Sequence, residues 1–321
     1  MEFLFLQEVV GKNIFTSTST TLFTTNSERS QNILLPKKQQ LKINQNKTIT
    51  MVIEGKKIAE EILARLKVLS KPKKFLAAFL VGNNPSSISF LKQKEKIAKE
   101  LGIDFRLYTF SESLKNDELR DEVGKVVNGK TCGGALIQLP LPEHINQHYI
   151  LNVVPREKDV DVLGERALGA FYADRNPVLP TAVCVVEELL KSYELKTTRI
   201  AIVGRGLLVG KPIASWLMGK TRELIVLGRN ADLSILKEAD VVISGVGKAG
   251  IIKPDMLKPE AGVIDFGYDF VDGKIFGDFD SSSLKPNTYN LKPSFYTPTP
   301  GGTGPILVAK LFENFYKLNT P

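Results

Sequence analysis

At 321 residues, with 43% hydrophobic and 24% charged side chains, the chain is long enough for two globular domains with separate cores. No apolar run approaches the roughly 18 residues of a membrane span. The net charge of +8 comes from lysines spread along the chain, not from a basic run interleaved with aromatics, so no nucleic-acid partner is expected. Two cysteines, Cys132 and Cys184, cannot build a disulfide framework and fit a reducing compartment, the cytoplasm. No Cys/His cluster has metal-ligand spacing, so no metal is expected. With only His144 and His148, both in a polar stretch, acid–base work falls to Lys, Asp or Tyr.

Residues 1–50 are rich in Ser, Thr, Asn, Gln and Lys and carry six Lys/Arg against three acids, with no lasting periodicity. They read as a disordered or non-native extension, with Met51 as the start of recognisable structure. Glu2 and Glu8 argue against an acid-poor targeting peptide. Apolar residues at 58, 62, 63, 66 and 69 then trace one helical face. Phe75–Val81 is a continuous apolar run that suits a buried parallel strand. A helix to Leu101 is stopped by Gly102, and a strand (105–110), a helix (117–127) and a strand (134–139) continue the alternation. A helix over 145–153 leads into the charged loop PREKDVDVLG, and a longer helix spans 183–193.

The run Ile200–Val203 ends in Gly204, Gly206 and Gly210, with a helix starting near Pro212. Strand, glycine turn and helix let a pyrophosphate approach bare backbone N–H groups. The G-x-G-x-x-x-G spacing is one residue longer than the usual dinucleotide fingerprint, so a plain tight turn remains an alternative. Strands at 224–227, 241–244 and 262–266 follow, then the loop TPTPGGTGP and a closing helix to Lys317. The pattern predicts two α/β domains, the second a Rossmann-like parallel sheet. Residues 51–190 form the first, with the helix at 303–317 packing back on it, and 191–300 the second.

In the helix 86–101, at about 100° per residue, Phe90, Leu91, Ile97, Ala98 and Leu101 share one arc, and Lys92, Lys96 and Lys99 lie opposite. Lys94 falls in the apolar arc, one turn after Phe90. Either it snorkels past the core edge, or it is held partly desolvated at a cleft with a lowered pKa. Gln138 ends an apolar strand, where α/β ligand sites form, though a satisfied buried amide would read the same way. In KDVD, Asp159 and Asp161 share a face if the segment is extended. One could pair with Lys158; the other is a candidate ligand anchor.

The blocks VGNNPSS…F…K, GGALIQLPLP, KDVD, VGRGLLVGKP, ADVVISGVGKAG, VIDFGYD and TPTPGGTGP stand in the order and spacing of one family. From Met51 to Lys317 the chain resembles the bifunctional methylenetetrahydrofolate dehydrogenase/cyclohydrolases. The resemblance implies a folate cleft between the domains, tetrahydrofolate derivatives as substrates, NADP as cofactor and a homodimer formed through the nucleotide domain. It implies that a hydride passes from 5,10-methylenetetrahydrofolate to NADP⁺, and that the methenyl product is hydrolysed to 10-formyltetrahydrofolate. Lys94 matches the catalytic lysine, Gln138 its pKa-tuning partner and Asp161 the carboxylate that holds the pterin. Pro300, Gly301, Gly302, Thr303 and Gly304 match the folate-contacting turn, with Phe90 stacking on the folate. Gly204, Arg205, Gly206 and Gly210 match the cofactor turn, and Tyr268 a residue near the nicotinamide.

Several positions depart from the family. Phe90 stands where it has Tyr, Val162 where Gly follows KDVD, and Thr181-Ala182-Val183 where it has Cys-Thr-Pro. Gly206 replaces the Ser of Gly-Arg-Ser, and Thr303 replaces a Val. Phe90 leaves a dehydrogenase-only relative open, and the departures together a silent nucleotide-binding protein. NAD-binding folds place a carboxylate about 20 residues past the glycine turn. Here LGRN puts Arg229 there, with Arg205 alongside, which suits a 2′-phosphate; Asp232 just beyond keeps NAD as the minority option.

Overall fold

The computed structural model describes residues 50–284 and 292–319. Apart from Thr50, the expectation for residues 1–50 lies outside them. The first strand, β1 (Met51–Val52), precedes α1 (Gly55–Lys67). Then come β2 (Phe75–Val81), α2 (Pro85–Leu101), β3 (Phe105–Phe110), α3 (Asn116–Val127) and β4 (Cys132–Ile137). These strands form a parallel sheet in the order β3-β2-β4. All seven residues of β2 are buried because it is central and covered on both faces. Leu76, Ala78 and Leu80 join one core with Ile62, Leu91, Phe312 and Phe315. Phe75, Ala77, Phe79 and Val81 point the other way, onto Leu119, Val123 and Ile150.

After α4 (Gln147–Leu151), α5 (Glu165–Tyr172) and α6 (Thr181–Leu189), the second sheet begins with β5 (Arg199–Val203). It continues through α7 (Gly210–Leu217), β6 (Glu223–Leu227), β7 (Val241–Ser244) and β8 (Gly262–Asp265). A hairpin, β9 (Asp269–Val271) and β10 (Lys274–Phe276), precedes β11 (Phe295–Tyr296) and the final helix α8 (Thr303–Asn319). The sheet is parallel throughout, in the order β1-β11-β8-β7-β5-β6. Its strands alternate between a core with Val183, Val186 and Ile213 and one with Leu236, Ile252 and Phe279. The protein is therefore a two-domain α/β fold whose second sheet is Rossmann-like.

The structure departs from the sequence reading at short elements. The chain's first strand pairs with β11 in the second sheet, Met51 opposite Phe295 and Val52 opposite Tyr296. The helix read over 145–153 has only five residues, and the one read to Tyr193 ends at Leu189. Helix α5 and the β9–β10 hairpin were not anticipated. In α5, Ala167 and Phe171 are the only buried residues, a pattern too sparse to stand out beside Gly169.

The last helix closes the first core and is clamped to α6. Lys310 on α8 is buried, with Nζ 2.7 Å from Glu188 on α6 and 3.0 Å from Glu313. Burial opposes these charges, yet hydrogen bonds from Lys191 and Lys310 hold the Glu188 carboxyl below its ordinary value, and Lys310 does the same for Glu313. Lys310→Met leaves both carboxylates without this partner and should cost about 2 kcal/mol, toward the low side because they keep some water. The stability they contribute is full above the ordinary glutamate range and fades as pH falls below it. The gap in urea midpoint between parent and variant should therefore narrow on acidification; a gap independent of pH contradicts this account.

Candidate active site

Helix α2 is set by its ends. The Asn84 side chain accepts from Ser87 N–H (3.0 Å), Pro85 opens the first turn, and Gly102 closes it at φ +64°. Its buried residues, Ser87, Leu91, Lys94, Ala98 and Leu101, recur at helical spacing, so Lys94 belongs to the inward face. Lys94 is only 4% exposed, which removes the snorkelling reading. Its Nζ donates to Gln138 Oε1 (3.1 Å) and lies 4.8 Å from the centroid of the Phe90 ring. Burial pushes the Lys94 ammonium below its ordinary range, against the upward pull of Asp161.

Gln138 lies just past β4, its N–H bonded to Phe79 O (2.9 Å). Its Nε2 donates to Leu139 O (2.9 Å), which turns Oε1 toward Lys94. Asp161 Oδ1 accepts from Thr181 Oγ1 (3.1 Å) at the start of α6. Neither aspartate of KDVD pairs with Lys158, which donates instead to the carbonyls of Val127 and Gly129. Asp159 is buried and turned into its own loop, where it accepts from the N–H groups of Leu163 and Gly164.

Phe90, Lys94, Gln138, Asp161 and Thr181 line a cleft of about 220 Å³. Leu207, Leu208, Val209 and Pro212 close its other wall, so it opens between the C-terminal edges of the two sheets. Two supporting residues were missed by sequence reasoning. Thr181 was noted only as a departure, and its hydroxyl orients Asp161. Asn314, fully buried on α8, donates to Val160 O (2.9 Å) and Leu179 O (2.8 Å), tying together the segments that carry Asp161 and Thr181. Its signal was an amide inside the apolar run of α8.

The glycine turn requires glycine at 204 and 210. Gly204 sits at φ +108°, and a Cβ on Gly210 would lie 2.0 Å from Gly204 O. Helix α7 starts at Gly210, two residues before Pro212. Gly206 faces open space. The Arg205 guanidinium lies across Gly228 at the end of β6, where a Cβ would fall 1.9 Å from Nη2. Arg205 and the neighbouring Arg229 are exposed, and among the described residues neither forms an ion pair. Asp232 is occupied: its oxygens accept from Ser234 N–H (2.9 Å) and Oγ (2.6 Å). Bare backbone at a helix start and two guanidiniums without an ion pair among the described residues, with Asp232 engaged by Ser234, fit a dinucleotide bearing a 2′-phosphate.

Other anticipated residues lie farther out. Tyr268 is 50% exposed beyond β8 and does not line the cleft. Nor does the turn Pro300–Gly304; Leu307, Val308 and Leu311 of α8 reach the cleft in its place. The turn is packed on α1, with Gly55 N–H bonded to Gly301 O (3.0 Å). Thr303 Oγ1 donates to Asp265 O (2.8 Å), anchoring α8 to the end of β8.

Comparisons with known proteins agree with this architecture. Residues 53–161 match the catalytic domain of tetrahydrofolate dehydrogenase/cyclohydrolase, and residues 179–320 match its NAD(P)-binding domain. The bifunctional protein FolD of Bacillus licheniformis is 35% identical over 277 residues, covering 83% of this chain and 96% of that protein. The crystal structure of the bifunctional FolD enzyme from Campylobacter jejuni superposes with a TM-score of 0.78 at 31% identity, over 84% of this chain and 99% of that one. The Trypanosoma brucei enzyme, solved with NADP and an inhibitor, gives 0.77 at 25% identity, over 84% and 97%. The chain belongs to the tetrahydrofolate dehydrogenase/cyclohydrolase family.

Proposed function

We infer that this protein oxidises 5,10-methylenetetrahydrofolate with NADP⁺ and hydrolyses the methenyl product to 10-formyltetrahydrofolate, with Lys94, Gln138 and Asp161 as the working groups. The observation that carries the assignment is a buried amine, hydrogen-bonded to an amide, in a cleft walled by a nucleotide-type glycine turn. NADP⁺ held on the Gly204–Gly210 turn, with its 2′-phosphate near Arg205 and Arg229, supplies the hydride acceptor. Asp161, fixed by Thr181, is placed to hold the polar edge of the pterin, and Phe90 offers a ring face for stacking. The Pro300–Gly304 turn, outside the cleft, serves by anchoring through Thr303 the helix α8 that lines it, and Tyr268 stands exposed beyond β8.

For ring opening, water attacks the methenyl carbon while the unprotonated form of Lys94, favoured by its burial, takes a proton from it. The C–N5 bond breaks as the carbonyl forms; N5 takes one of the two water protons and the other leaves to solvent. Gln138 keeps Nζ aimed throughout. We further propose a cytoplasmic homodimer joined through the nucleotide domain. Both cysteines are buried free thiols, with Cys184 pushed up to about 12 by burial, and the β9–β10 hairpin exposes Phe270 (65%), Val271 and Phe276.

An absorbance assay of the methenyl product should show turnover with NADP⁺ well above that with NAD⁺; no turnover with either nucleotide refutes the function. Methenyl product decaying only at its uncatalysed rate would favour the dehydrogenase-only reading that Phe90 suggests. Lys94→Ala should lower ring opening at least about 100-fold. In the parent the hydrolysis rate should rise with pH as Lys94 loses its proton, along a limb below the ordinary lysine range. Asp161→Asn removes the charge that pulls Lys94 upward, so the limb should move to lower pH; an unmoved limb counts against the pairing. Phe270→Asp with Phe276→Asp should convert a dimer to a monomer in light scattering, and an unchanged mass rejects that interface.

A further inference from the structure

The loop that delivers Asp161 contains a residue in a conformation that its side chain disfavours. Val162 is fully buried with φ +57°, in the left-handed region where a β-branched residue is a genuine outlier. Such backbone persists only where its surroundings over-determine it. The surroundings here can be named. Asp159 is 4% exposed, and its Oδ2 accepts from both Leu163 N–H (2.9 Å) and Gly164 N–H (2.8 Å), closing the chain back on itself around Val162. On the near side, Asp159 is fixed to the first sheet through its bridge to Ala135. On the far side, Gly164 allows the close approach: a Cβ there would lie 3.2 Å from Leu151 O and 3.3 Å from Asp159 Oδ2. Asp161 sits at the apex of this closed turn and faces the cleft.

We propose that Asp159 is a positioning residue for the folate site: its carboxylate oxygen holds the turn through Val162 closed and thereby presents Asp161 to the substrate. The inference rests on the placement of Asp161 as the pterin-holding group. Two features make the role one of geometry rather than charge. Both N–H donors converge on a single oxygen, so one acceptor atom suffices. Burial also pushes the Asp159 carboxyl up to about 7, against the pull of the Gly164 N–H, so at neutral pH the group serves as an oxygen acceptor in either protonation state. An amide oxygen can take the same place; a methyl group cannot. Asn314 holds the same segment from beneath through Val160 O, which confines a loss of the Asp159 contact to the apex.

The test compares Asp159→Ala, Asp159→Asn and Asp161→Asn in the full-length enzyme, measuring KM for 5,10-methylenetetrahydrofolate and for NADP⁺ separately. Asp159→Ala should raise the folate KM at least tenfold and leave the NADP⁺ KM within twofold, while Asp159→Asn should recover to within threefold of the parent. A folate KM within twofold of the parent in Asp159→Ala overturns the proposal, as does an Asp159→Asn variant as impaired as the alanine one. If Asp161→Asn leaves the folate KM unmoved, the pterin role of Asp161 falls and the positioning role falls with it. A normal loss in Asp161→Asn with none in Asp159→Ala overturns the positioning role alone. Should Asp159→Ala be insoluble, Asp159→Ala with Val162→Gly takes its place, since glycine adopts the left-handed turn unaided. Recovery of soluble, folate-turning enzyme supports the proposal, and a pair as insoluble as the single variant overturns it.

Discussion

The structure is organised around the burial of one amine. An unpaired ammonium in a protein interior is costly, and the usual relief is to shift its pKa and neutralise it. Lys94 is held in that condition by an inward helical position, by a single amide acceptor and by a carboxylate across the cleft that does not hydrogen-bond to it. Each constraint comes from a different element. Helix α2 fixes the stem, the end of β4 supplies Gln138, and the segment leading to α6 supplies Asp161. Moving any of them would return the amine to water or to a full ion pair, and in either case its pKa would rise back toward the ordinary lysine range.

The second sheet provides what the first cannot: a backbone cradle and a separate basic pair. The long G-x-G-x-x-x-G spacing accommodates Leu207, Leu208 and Val209, whose side chains wall the cleft while Gly204 and Gly210 pack against each other. The same turn thus supplies both a bare-backbone helix start and one wall of the cleft. At the end of β6, Gly228 lets Arg205 lie flat beside Arg229, and Asp232 is withdrawn by its cap on Ser234. The proposed preference for NADP over NAD rests on an arginine given room and on an acid already engaged by Ser234.

Much of this was legible in the sequence because it follows from periodicity and sharp local rules. The long helices, the buried strands β2 and β4 and the misplaced Lys94 announce themselves through repeats of 3.6 residues or continuous apolar runs. The two-residue strands β1 and β11 could not, since two residues carry no period, and their pairing joins parts of the chain more than two hundred residues apart. Asp159 and Asp161 looked equivalent because an extended KDVD would put them on one face; the bend after Lys158 and the left-handed Val162 send them to different tasks. Thr181 and Asn314 act through contacts that only the tertiary fold creates.

The departure at Phe90 fits the same picture. The ring lies beside Lys94 Nζ and supplies a π face without a competing hydroxyl, so among the described residues Gln138 is the hydrogen-bond acceptor of that amine. The central claim is therefore the protonation state of Lys94. An NMR titration of the enzyme labelled at lysine Cε tests it most directly. The account predicts one lysine that titrates well below the ordinary range and whose signal is missing in Lys94→Gln. If every lysine titrates in the ordinary range, the buried-base account is wrong.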